Sequence, residues 1–89
     1  MVIKLNHSLG NLTHASLQWA NLTGAELISA ELFGADLFRA KLNKAVLRSA
    51  NLTSAELQGA ELIYTNLSGA LPKGARLTHA TMPDGSIHQ

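Results

Sequence analysis

Four histidines, His7, His14, His79 and His88, are the residues of this chain best suited to hold a metal or to move a proton near neutral pH. Their spacing argues against both. His14 and His79 lie 65 residues apart, His7 and His88 lie in opposite end segments, and no carboxylate stands beside them at a ligand interval. No metal and no cofactor are expected. Asp36 and Glu56 would suit a retaining glycosidase if folding set them about 5 Å apart in a cleft. The serines and threonines are frequent, but no His–Asp constellation accompanies them. Gly24 and Gly34 belong to no strand–loop–helix phosphate motif. No catalytic residue emerges, and the chain does not read as an enzyme.

Whether any of these side chains meet depends on the frame that carries them, and here the frame is loud. In "ELFGADLFRAKLNKAVLRSANL" (Glu31 to Leu52) the leucines stand five apart, and an alanine precedes each by two. The central position recurs from Leu12 to Met82, fifteen times, with leucine everywhere except Pro72 and Met82. Alanine fills the linked position everywhere except Gly10 and Thr65. A step of five turns a helix by a net of about 140°, which smears the leucines around the axis. In a long flat strand an odd step puts successive leucines on opposite faces.

A short extended piece followed by a corner satisfies the pattern. Ala and Leu two apart share a face, and a corner of constant hand aims the next pair inward as well. The result is a coil with Ala and Leu inside and the other three positions of each pentad outside. Backbone groups of one coil pair with the next at about 4.8 Å. One such coil cannot bury its own face, so several must stack.

The A-[N/D/E]-L-x-x pattern resembles the pentapeptide-repeat family over about residues 10 to 82; "ANLTGAELISAELFGADLFRA" is typical of it. The resemblance implies an all-β fold, a right-handed quadrilateral β-helix with four pentads to a coil. Fifteen pentads would give just under four coils, roughly 18 Å tall. "ATMPDGSIH" looks like the C-terminal ends of cyanobacterial members. The expected organisation is an N-terminal cap over residues 1–9, the β-helix over 10–82, and a turn and tail over 83–89. Pro72 lacks an N–H, so a distortion is expected there, with Leu71 turned inward. "MPDGS" reads as a turn that ends the helix, with Ile87 folding back over the last core layer.

Stacking by twenty places outward residues in ladders: Ser16, Asp36, Glu56 and Arg76 in one, Asn21, Lys41, Glu61 and Thr81 in another. Asp36 and Glu56 then lie on a convex wall with no cleft. Phe33 and Phe38 both follow a central Leu and should point outward on adjacent sides. Ile28 takes the same position one side earlier, and Trp19 stacks with Arg39 on the side that bears Phe38. These five are the candidate interaction surface, with Lys41, Lys44 and Arg48 close behind Arg39.

Composition sets the bounds. The chain has 89 residues, 46% hydrophobic but only 4% aromatic, a formal net charge of +1 and no cysteine. One small domain is expected, without disulfides or thiolate metal sites and without the charge for nucleic-acid binding. No apolar run approaches the ~20 residues of a membrane span. The start does not read as a signal peptide, so a cytoplasmic location is expected. The reading is a non-catalytic structural or protein-interaction module whose partner is another protein or itself. The C-terminal end, thinly covered, suggests a homodimer. The alternative comes from the family resemblance: some members resemble a DNA rod and bind type II topoisomerases such as DNA gyrase. Those look strongly acidic and longer, whereas Arg39, Lys41, Lys44 and Arg48 interrupt any phosphate-like array here.

Overall fold

In the computed structural model, which describes residues 11–89, each residue preceding a central Leu forms a parallel bridge to the residue twenty positions later. The bridges run from Asn11↔Glu31 to Glu61↔Thr81. The chain therefore stacks on itself every four pentads and has four walls. Leu12, Leu32, Leu52 and Pro72 centre the first wall, Leu17, Leu37, Leu57 and Leu77 the second. Leu22, Leu42, Leu62 and Met82 centre the third, and Leu27, Leu47 and Leu67 the fourth. The cap expected over residues 1–9 lies outside the described residues.

Backbone hydrogen bonding explains why five residues suffice for a wall and a corner. In the pentad Ala35–Arg39, Asp36 N–H donates to Ala15 C=O below (2.9 Å). Leu37 N–H donates to Glu56 C=O above (2.7 Å), and Arg39 N–H to Gln58 C=O (2.9 Å). Ala35 N–H closes the preceding corner onto Leu32 C=O (3.0 Å). That leaves the N–H after the central Leu, and Asp36 Oδ1 accepts it from Phe38 (3.1 Å). Asn11, Asn21, Asn51 and Asn66 do the same for Thr13, Thr23, Thr53 and Ser68. Where the residue before the Leu is Asn or Asp, as at these five pentads, it is thus more than a solvated position: its oxygen satisfies the one donor the ladder leaves over.

Each corner is a four-residue turn closed from Ala N–H to Leu C=O, with its third residue left-handed. From His14 to His79 every fifth residue has positive φ, between 55° and 74°. Positive φ at that position alone defines a type II turn, which favours glycine there. Nine of these corners carry a side chain instead, among them Trp19, Arg39 and Tyr64. A left-handed L-residue costs about 1–2 kcal/mol, and the ladder bonds on both flanks hold it in place.

The inward assignment of Ala and Leu holds. Leu22, Leu27, Leu32, Leu37, Leu42, Leu47, Leu57 and Leu62 are all but inaccessible, as are the alanines from Ala20 to Ala60 between them. Thr65, standing where Ala is usual, is buried and donates its hydroxyl to Leu42 C=O (2.6 Å).

Two expectations near the C-terminus fail. Pro72 causes no distortion: Ala75 N–H closes its corner onto Pro72 C=O (2.8 Å), and Leu52 and Ser54 donate to Leu71 and Lys73 as the pattern requires. Leu71 stays at the outward bridge position and is 55% exposed.

The second failure is Ile87. The chain does fold back, because the left-handed residue comes one place late, at Gly85 (φ 88°). Gly85 N–H donates to Met82 C=O (2.8 Å) and Met82 N–H to Ser86 C=O (2.7 Å). This is a three-residue hairpin, Pro83–Asp84–Gly85, rather than another corner. Ile87 pairs antiparallel with Thr81. Thr81 faces outward, and residues directly opposite share a face, so Ile87 also points outward, 51% exposed, and leaves the last core layer uncovered.

Candidate interaction surface

Stacking by twenty decides which outward side chains meet. On the second wall, Trp19 and Arg39 share the left-handed corner position on successive levels, and Phe38 precedes Arg39. The indole and phenyl rings meet edge to face, centroids 6.1 Å apart. The Arg39 guanidinium lies over both, 5.2 Å from the indole centroid and 5.5 Å from the phenyl centroid. Trp19 is 60% exposed. The arginine stem runs beneath Gly59, whose absent Cβ would stand 3.0 Å from Arg39 Cγ.

Phe33 is exposed as expected but does not join this cluster. It lies on the first wall, edge to face with His14 at 5.7 Å. Ile28, on the fourth wall, is half-buried. The structure therefore unites Trp19, Phe38 and Arg39, pairs Phe33 with His14, and leaves Ile28 apart from both groups. Sequence reasoning passed over Ile63 and Tyr64, both exposed on the third wall. Their positions after Leu62 match those of Phe38 and Arg39 after Leu37, and that register was the available signal.

Of the residues considered for chemistry, Asp36 is otherwise engaged. Asp36 and Glu56 are neighbours in the ladder, but Asp36 Oδ1 holds its own turn and Oδ2 accepts from Gln18 Nε2. Glu61 Oε1 accepts from Asn43 Nδ2 (2.9 Å). Among the described residues no three His, Cys, Asp or Glu gather as a metal would need, and no helix is long and apolar enough to cross a membrane.

A second feature lies at the C-terminal mouth of the stack. Leu52, Leu57, Leu62, Leu67, Leu77 and Met82 are the larger side chains lining an apolar cavity of about 250 Å³. It has two causes: Pro72 fills less of the centre than a Leu would, and the hairpin carries the chain away before a fourth wall can cover Leu67.

A family model described as pentapeptide repeats matches residues 11–27, 30–69 and 55–85, in eight copies. The chain belongs to the pentapeptide-repeat family. Pentapeptide-repeat proteins form right-handed quadrilateral β-helices, and solved members resemble most of this chain. A pentapeptide repeat protein of the Arabidopsis thaliana thylakoid lumen is 30% identical with a TM-score of 0.68, over 97% of this chain and 69% of that one. One from Nostoc PCC 7120 is 34% identical with a TM-score of 0.57, over 84% and 68%. Rfr23 from the cyanobacterium Cyanothece 51142 is 38% identical with a TM-score of 0.55, over 74% of this chain but only 42% of its own. No functionally curated protein matches the chain. Pentapeptide-repeat proteins are in general non-catalytic and serve as protein-interaction modules.

Proposed function

We propose that this pentapeptide-repeat protein is a non-catalytic binding module: just under four coils of β-helix that present a fixed corner to another protein. The reading rests on one observation, the Trp19–Phe38–Arg39 cluster on the outer wall, with its rings on the rim rather than in the core. Trp and Arg are the side chains that most often dominate protein interfaces. A β-helix ladder fixes the backbone beneath them, so little order need be gained on binding. The test is co-purification from the source cell with wild-type protein and with a Trp19→Ser, Phe38→Ser double variant. A partner retained by the first and lost by the second supports the reading; equal recovery by both removes it.

The apolar cavity at the C-terminal mouth favours a second contact, a two-fold homodimer through that end. Leu67, Leu77 and Met82 are only half-buried there, and self-pairing of like ends closes without forming a filament.

A further inference from the structure

We propose that the Trp19–Phe38–Arg39 corner docks an acidic segment of its partner protein, a carboxylate being held by the Arg39 guanidinium against the rim of the two rings; this rests on the binding-module reading above. The guanidinium carries five N–H donors in a planar fork that matches a carboxylate. Among the described residues no acceptor takes a hydrogen bond from it; its contacts there are the indole and phenyl rings. Of the carboxylates that border the corner, Asp36 is tied to Gln18 and to its own turn, and Glu61 to Asn43. The stem lies against the bare backbone of Gly59 and the guanidinium over the indole of Trp19, so the fork is aimed before a ligand arrives and little side-chain entropy is lost. Lys41 follows two residues on, round the same corner and exposed, and adds a second positive charge.

Aromatic rings beside an arginine also suit single-stranded nucleic acid, where bases stack on free ring faces. Here the Arg39 guanidinium lies over both rings, and Trp19 and Phe38 meet edge to face rather than in parallel, so they do not form a flat platform for successive bases. Asp36, Glu56 and Glu61 border the corner, so a polyphosphate tracking the wall would meet repulsion. One or two carboxylates flanked by apolar side chains fit the small positive spot better.

Panning the folded protein against displayed random dodecapeptides tests this. The enriched peptides should carry Asp or Glu beside an apolar residue. Arg39→Gln should weaken their binding by roughly tenfold or more, Arg39→Lys should weaken it as well because the fork is lost, and Lys73→Gln on the first wall should not. Circular dichroism on every variant checks that the fold is intact. Enrichment without acidic residues, or binding indifferent to Arg39→Gln, overturns the acidic partner. The corner survives as a binding site in that case only if Trp19→Ser still abolishes binding; if it does not, or if no peptide enriches, both readings fall. An oligothymidine strand that binds wild type and not Trp19→Ser would overturn the inference in favour of nucleic acid.

Discussion

His14 occupies the space into which a side chain at Gly34 would grow: a Cβ there would stand 2.5 Å from both Cε1 and Nδ1 of the imidazole. The two residues share one ladder, twenty apart, and Gly34 also takes the left-handed corner conformation.

Gly34→Ala should therefore destabilise by two separable routes, a strained φ and a clash. The strain alone costs about 1 kcal/mol or more. Adding His14→Ala should return the clash part and leave the strain, and urea melts of the two single variants and the double variant measure the difference as a coupling energy. Equal losses with and without His14 would show that the ring simply swings away.

Asn and Asp before a central Leu carry a turn bond, as at Asn11, Asn21, Asp36, Asn51 and Asn66. Asn21 Oδ1 accepts from Thr23 N–H (3.1 Å) and Thr23 Oγ1 (2.7 Å). Asn21→Ala should cost about 1 kcal/mol in urea denaturation, whereas Asn21→Asp, which keeps the acceptor, should cost much less. If both cost the same, the oxygen has no role in the turn.

Core and frame were legible in the sequence, and the left-handed corners that carry a side chain were not. Two linked positions repeated fifteen times exclude both regular elements, and the inward Leu and Ala follow from that alone. Trp19, Arg39 and Tyr64 give no hint by type that they stand at positive φ, because that strain is imposed by the ladder and not by local preference. The pairing of Trp19 with Arg39 followed from the twenty-residue register. Ile87 could not be aimed correctly, because the inward pattern stops applying once Gly85 replaces a corner with a hairpin.

Leu47 has no accessible surface. Leu47→Asp should unfold the protein by setting a charge among apolar layers, and Leu47→Met should cost less than about 1.5 kcal/mol. Thermal melts by circular dichroism check both, and a native melting temperature in the Asp variant would reverse the inward assignment.

Hydrogen bonds from the Ser86 hydroxyl, and then from Ser86 N–H, hold the Asp84 carboxyl below its ordinary value. A lowered carboxylate stabilises the folded turn above the unfolded pKa, near about 4, and that contribution disappears as pH falls through the lower folded value. Ser86 amide protection should therefore be constant from neutral pH down to about 4 and decline below it. Asp84→Asn should flatten the profile.

The homodimer has a simple readout. Light scattering at about 100 μM, a range that captures weak association, should give twice the monomer mass, and Met82→Lys should return the monomer. A monomer mass for wild type would remove the dimer. A dimer indifferent to Met82→Lys would move its interface to another wall.

Site-specific crosslinking bears most directly on the corner as a binding surface. A photoactivatable phenylalanine at Phe38, irradiated in the source cell, should yield a discrete adduct with another protein, and the adduct should fade when Arg39→Gln is added. The same probe at Lys73, on the first wall, should give none. Adducts at Lys73 and not at Phe38 would contradict the account, because the partner would then approach a wall that lacks the aromatic and cationic groups.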